Sequence, residues 1–234
     1  MMRVDRAAND GGSAKGDVTK AAIVDAAMRL FREQGFEATT MRAIAAEAGV
    51  SLGNAYYYFA SKEHLVQGFY GRIAVDQAVA TLPKLVGEPD LIKRMMIVIE
   101  TWIDIMEPYR SFAGKFFKFA AEPNSPLSPF SADSAPARQA ALGLWAYVIN
   151  ESNQKVPKAL KDELPEVMWL AFLGVVLFWV HDTSDNNERT RLLATRLVPI
   201  VVRIIGMSRL PVMKATVADV VSLLSELRPD SPEP

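Results

Sequence analysis

From Asp17 onward the apolar residues recur at helical spacing. Ala22, Ile23, Ala26, Ala27, Leu30 and Phe31 form one stripe that ends at Gly35, with Asp17 or Thr19 as the expected cap. A second short helix follows, with Thr40 placed to cap it and Ile44, Ala45 and Ala48 on its buried face. Gly49 stops that helix at a position where positive φ favours glycine. Val50 returns to the core, Ser51 can cap a third helix, and Ala55 with Phe59 at i and i+4 would hold it against the second. A fourth helix is expected from Ser61 or Lys62 to about Leu82, where Pro83 should end it. Its length makes it the natural lever between the two halves of the chain.

The second half repeats the pattern more strongly. Residues 90 to 107 carry Leu91, Ile92, Met95, Met96, Ile99, Trp102, Ile103 and Met106, and Pro108 breaks that helix. Another helix should run to about Ala121 with Phe112, Phe116, Phe117 and Phe119. The stretch EPNSPLSPFSADSAP reads as an extended loop, of the kind that forms a lid or mobile edge. Helix resumes over 135 to 153. The run Val167 to Val180 is apolar on every side, and the helix after it, about Asn187 to Met207, has more apolar residues than one face needs. Both therefore require a second cover, and pairing with their own copies in a four-helix dimer interface supplies it. At 14 residues the apolar run falls short of the roughly 20 needed to cross a bilayer. A last helix is expected from Pro211 to about Leu227, ahead of the tail RPDSPEP.

The small residues Ala45, Ala48 and Ala55 let the second and third helices cross closely, as in a helix-turn-helix whose second helix enters the DNA major groove. In that arrangement Arg42 can reach guanine or a phosphate, Thr40 and Ser51 can cap helices and touch phosphates, and Asn54 can pair with adenine or a phosphate. Gly53 sits where a side chain would hold the backbone away from the base edges. The stretches FEATTMRAIAAEAGVS, GNAYYYF and SKEHL, spanning Thr19 to Leu65 with their flanks, resemble the DNA-binding region of the TetR family of bacterial transcriptional repressors. The resemblance implies an all-α fold: an N-terminal three-helix DNA-binding domain with a helix-turn-helix, then a larger helical domain for dimerisation and for a small-molecule inducer. It also implies that Tyr56 and Tyr57 face DNA, that Tyr58 packs inward or at the rim, and that the first helix nears a phosphate around Thr19 and Lys20. Lys62, opening the fourth helix, would act on a phosphate together with the positive helix end. The expected partners are operator DNA, a second copy of the chain and an apolar or amphipathic effector, with no membrane, no cofactor and a cytoplasmic location.

Charge alone does not point to nucleic acid. The net charge is −1, and residues 1 to 70 hold eight Lys/Arg against eight Asp/Glu. Phosphate contacts must then come from helix termini, hydroxyls and a few placed cations. The chain contains no cysteine, which excludes disulfides, thiolate metal sites and cysteine nucleophiles. Residues 1 to 16 lack an apolar run and read as a disordered tail rather than as a signal peptide. The domains expected are thus 17 to 66 for DNA binding and 67 to 227 for ligand binding and dimerisation, with a disordered tail over 228 to 234.

Half of the 234 residues are hydrophobic, enough for a sizeable core. Trp102, Met106, Phe112, Phe116, Trp145, Trp169 and Phe172 lie on helices that can enclose an apolar, adaptable ligand site. An enzyme is the rival class, but His64 and His181 lack helical metal-ligand spacing, and no phosphate loop, nucleophile elbow or paired carboxylate motif occurs. The other alternative is a helical partner-binding protein that uses the Val167 to Val180 surface without sequence-specific DNA binding.

Overall fold

The computed structural model describes residues 10 to 227, which form helices and turns. In chain order the helices are α1 Asp10–Gln34, α2 Met41–Glu47, α3 Leu52–Tyr58, α4 Lys62–Leu85, α5 Leu91–Met106, α6 Arg110–Ala120, α7 Ala135–Asn150, α8 Lys158–Lys161, α9 Leu164–His181, α10 Glu188–Met207 and α11 Lys214–Leu227. Packing divides them into two compact units. One takes the chain up to Ile73 together with Pro108–Ala137, and the other takes Ala74–Glu107 with the chain from Arg138 onward. The packing unit around the helix-turn-helix is therefore larger than the sequence-defined domain of 17 to 66. Aromatic stacking accounts for the addition: Phe112 of α6 lies 5.8 Å from Phe31, and Phe116 lies 5.7 Å from Phe36.

In the first unit, α1 buries Ile23, Val24, Ala26, Ala27, Met28 and Phe31, so the buried stripe is broader than the expected one and includes Val24 and Met28. The helix also begins earlier than its expected cap. Residues 10 to 16, read as part of a tail, are helical, and Thr19 lies inside the helix with its hydroxyl donating to the Lys15 carbonyl at 2.9 Å. Adding turns to an existing helix is far less costly than nucleating one, which lets a weakly apolar segment join α1. Residues 1 to 9 and the 228 to 234 tail lie outside the described residues.

The tight turn between α2 and α3 follows the sequence closely. Thr40 and Ser51 accept the amides of Ala43 at 3.2 Å and Asn54 at 3.1 Å, capping α2 and α3. Gly49 takes φ 67°, and the amides of Gly49 and Val50 bond back to the carbonyls of Ala46 and Ala45. That pair of bonds is a Schellman closure, which satisfies the last carbonyls of α2.

The stretch 121 to 134 is a chain of tight turns rather than an extended loop, with amide-to-carbonyl bonds at Ser125, Ser128, Ser131 and Ala135. Serine hydroxyls cap successive turns, as Ser125 does for Leu127 and Ser131 for Ser134. Gln67 of α4 donates to the Pro126 carbonyl at 2.6 Å and to the Ser134 hydroxyl at 3.0 Å, and Leu127 is buried. A lid would need this segment free of α4, and its polar groups are instead spent on holding it there.

In the second unit, Pro83 does not end α4, which continues to Leu85 before Gly87 turns at φ 76°. A proline in a final turn removes one helical bond and leaves the rest intact. Asp90 caps α5 by accepting the Lys93 amide at 2.9 Å. Arg94, only 1% exposed, donates to the carbonyls of Leu85, Glu88, Tyr147 and Val148 at 2.8 to 3.0 Å. Its charge meets the negative C-terminal ends of α4 and α7, which substitute for a carboxylate. At the start of α10, the buried Asp182 accepts the amide and hydroxyl of Ser184 and of Thr190. Burial alone would raise the Asp182 carboxyl, but these four bonds outweigh it and hold the group well below the usual carboxylate range.

The apolar run expected over 167 to 180 sits in an 18-residue helix, α9, with mean hydropathy 1.7. By length and composition alone, α9 thus reaches the range of a membrane-crossing helix, which its 14-residue apolar run did not. It buries Leu164, Met168, Trp169, Val175 and Trp179 within the unit and leaves Leu170, Leu177 and Phe178 exposed. On α10, Ala194, Val198 and Ile205 are buried, while Leu192, Ile200, Ile204 and Met207 are exposed.

Candidate nucleic-acid interface

The surface of α3 is divided by its packing. Ala55 and Phe59 face inward, and Gly53, Tyr56 and Tyr57, at i, i+3 and i+4, share the opposite face with Asn54 at its flank. Tyr56 is 50% exposed and Tyr57 80% exposed, a large outlay of aromatic surface to water on a helix of seven residues. A Cβ built at Gly53 would meet nothing within 4 Å, so the chain's own packing places no demand for glycine there.

Tyr58 is half-buried at the rim, as expected from the resemblance. Its ring lies edge-to-face with Tyr57 at 5.0 Å, and Lys20 stands 6.0 Å above it. Arg42, in the first turn of α2, is exposed and has no hydrogen-bond or ion-pair partner among the described residues. By contrast Arg29 pairs with Glu47, Arg72 with Asp25 and Lys118 with Glu37. Three cations of this unit are thus paired with carboxylates of the same unit, whereas Arg42 is not among them.

Thr40 and Ser51 are exposed while capping. A hydroxyl that accepts an amide still carries its own O–H, so each can donate to a phosphate without releasing its helix. Lys62, expected to act on a phosphate beside the start of α4, is half-buried. Its ammonium donates to the carbonyls of Phe36 at 2.7 Å and Glu37 at 3.3 Å, and stands 4.6 Å from the centroid of the Phe36 ring. An ammonium has three N–H donors, so two are used by the turn after α1 and one is available to an anion.

The seven residues expected around an effector are divided between the two units. Phe112 and Phe116 belong to the first unit, stacked with each other at 5.0 Å. In the second unit Trp102 meets Phe172 at 5.3 Å, and Phe172 meets Trp145 at 5.8 Å. Trp169 is buried and Met106 half-buried. Trp179, hidden in the sequence by its apolar neighbours, is fully buried beside Trp102 at 5.1 Å with its indole N–H unpartnered. Surface grooves occur elsewhere, one of them lined by Ile92, Gln154, Pro199, Val202, Arg203 and Met207, and they include none of the seven. Among the described residues, no group of three or more His, Cys, Asp or Glu is placed to hold a metal ion.

Comparison with known proteins places this architecture. Residues 23–68 match the model for bacterial regulatory proteins of the tetR family, and residues 94–224 match that for the tetracyclin repressor-like C-terminal domain. The regulator BetI of Rhizobium meliloti is 44% identical over 69 residues, covering 28% of this chain and 34% of that protein. The repressor KstR of Mycobacterium tuberculosis is 46% identical over 50 residues, covering 21% of this chain and 23% of that protein. These matches span about a third or less of each relative's length. Among solved structures, a TetR regulator from Nitrosomonas europaea shares the fold at TM-score 0.59 and 21% identity, over 77% of this chain and 96% of that one. The regulator FadR of Bacillus subtilis, solved in complex with stearoyl-CoA, does so at TM-score 0.59 and 15% identity, over 78% of this chain and 97% of that one. The helix-turn-helix and the helical domain that follows it are thus both accounted for, and the chain belongs to the TetR family of bacterial transcriptional regulators.

Proposed function

We propose that this chain is a transcriptional repressor that binds a palindromic operator as a homodimer and is released by a small, largely apolar effector. The observation that carries the DNA part is the outward face of α3, with exposed Tyr56 and Tyr57 around a bare Gly53, beside the unpartnered Arg42. In this reading Arg42, Asn54, Tyr56 and Tyr57 read bases or phosphates, while Thr40, Ser51 and Lys62 hold phosphates.

Two features support a dimer. An α3 of seven residues is about 10 Å long and reads only a few base pairs, so a second copy spaced by about 34 to 36 Å, or a multiple, is needed for a specific site. The exposed Leu170, Leu177 and Phe178 of α9, with Ile200, Ile204 and Met207 of α10, are the apolar surface that a second copy would cover. Cover by a partner copy fits α9 better than a bilayer does, because Met168, Trp169, Val175 and Trp179 already pack inside the chain.

The effector site is proposed at the aromatic cluster of Trp102, Trp145 and Phe172, with Met106 and Trp169 on the same helices. FadR, which shares the fold, was solved with an acyl thioester ligand. Effector binding that favours a dimer with misplaced recognition helices needs a coupling of about 1 to 3 kcal/mol to weaken DNA affinity roughly 5- to 150-fold.

The test is selection of bound fragments from a randomised DNA pool by the purified chain. Enrichment of one two-fold symmetric sequence supports the proposal. A pool that stays random, from a protein that is folded and captures a different protein through α9, supports the partner-binding alternative.

A further inference from the structure

Phe36 follows directly on Gly35, in the FEATT stretch, and no role has yet been attached to it. Its ring is fixed on three sides by other rings: Phe31 at 5.1 Å, Phe116 at 5.7 Å and Phe119 at 5.4 Å between centroids. The face left over is covered by the Lys62 ammonium at 4.6 Å, while the Phe36 carbonyl accepts from the same ammonium at 2.7 Å. The Glu37 carbonyl adds a second bond at 3.3 Å. A lysine tip on a flexible four-carbon stem normally samples many rotamers, and ordering it on an anion costs entropy. Here a ring face and two carbonyls have already ordered it.

We propose that Phe36 is a positioning residue for DNA binding: its ring and carbonyl hold the Lys62 ammonium in place, so that the remaining N–H meets a DNA phosphate without a search. The proposal rests on the reading of this unit as DNA-binding. It adds a reason for an aromatic at position 36: the rings of Phe31, Phe116 and Phe119 already favour one, and attracting a cation to the free face needs a ring with a negative quadrupole. The carbonyl contacts are available to any residue, so the side chain's own contribution is the cation–ring contact.

The test is a double-mutant cycle on operator affinity, measured by titration at several salt concentrations, with melting temperature recorded for each variant. Phe36→Leu should weaken operator binding about fivefold and lower the magnitude of the salt slope by about one, as expected when one phosphate contact is lost. Phe36→Tyr, which keeps the ring, should bind like the parent. Lys62→Met should lose at least as much as Phe36→Leu, and the combination of the two should lose no more than Lys62→Met alone. If Phe36→Leu does not fold, Phe36→Met replaces it in the cycle. Additive losses, an unchanged salt slope in Phe36→Leu, or full binding by Lys62→Met would overturn the proposal while leaving the DNA-binding reading intact. Failure of the unsubstituted chain to prefer any operator overturns both.

Discussion

At the scale of single residues, what separates function from packing is whether the chain itself uses the side chain. Tyr57 is 80% exposed and its described ring contact is to Tyr58, so its removal leaves the core intact. Tyr57→Ala should shift the melting temperature by no more than about 2 °C while weakening operator binding at least about tenfold, the order expected for loss of one specific contact. Calorimetry beside a DNA titration checks both. Asp182 is the opposite case. Its carboxyl is held low by Ser184 and Thr190, so its contribution to stability is present above the unfolded carboxylate range near pH 4. That contribution is lost as pH falls toward the folded value, where the protonated group can no longer accept all four bonds. Asp182→Asn should therefore flatten the fall in unfolding free energy below about pH 4, and denaturant titrations across that range measure it. The same slope in both proteins would place acid sensitivity elsewhere.

At the scale of elements, Arg94 joins three helices through backbone carbonyls, with its guanidinium also 5.2 Å from the centroid of the Tyr147 ring. Arg94→Met would remove four hydrogen bonds while the Leu85 and Tyr147 carbonyls keep the amides of Glu88 and Glu151, so two carbonyls lose their donor and the loss should reach about 2 kcal/mol or more in a denaturant midpoint experiment. A change under about 1 kcal/mol would mean that water or backbone shifts replace the guanidinium. Helices were legible in the sequence wherever local signals agreed. Thr40, Gly49 and Ser51 set their caps and turn through short-range bonds that a sequence pattern encodes directly. What failed depended on distant partners. The ends of α1 and α4 ran past Asp17 and Pro83 because helix propagation tolerates weak residues. The segment 121 to 134 reads as a loop, but its serines cap one another's turns and Gln67 holds the Pro126 carbonyl and the Ser134 hydroxyl. In the candidate site, the exposure of Tyr56 and Tyr57 accords with what the resemblance implies, since spacing alone says only that three successive tyrosines cannot share one face. The cage around Lys62 was not legible, because Phe36 and Lys62 meet across 26 residues of chain.

At the scale of the whole molecule, the apolar faces of α9 and α10 ask for a partner. Trp169 is 6% exposed within its own chain, so a charge placed there would report on folding rather than on assembly. Leu177 and Phe178 are about two-fifths exposed and serve better. Leu177→Glu should leave helical content unchanged and convert a dimer to a monomer in sedimentation at micromolar concentration, by placing an unpaired charge in an apolar interface. A dimer that persists would move the interface elsewhere. In the proposed function, the face of α3 reads DNA for a two-fold symmetric assembly. That reading is tested most directly by titrating the purified protein against DNA from upstream of its own gene, at two salt concentrations, with random DNA as control and a footprint of the bound state. The account expects tight, salt-weakened binding with a footprint symmetric about one centre, its halves about one helical turn or a multiple apart. Equal affinity for the random control, across fragments from its whole genome, would contradict it.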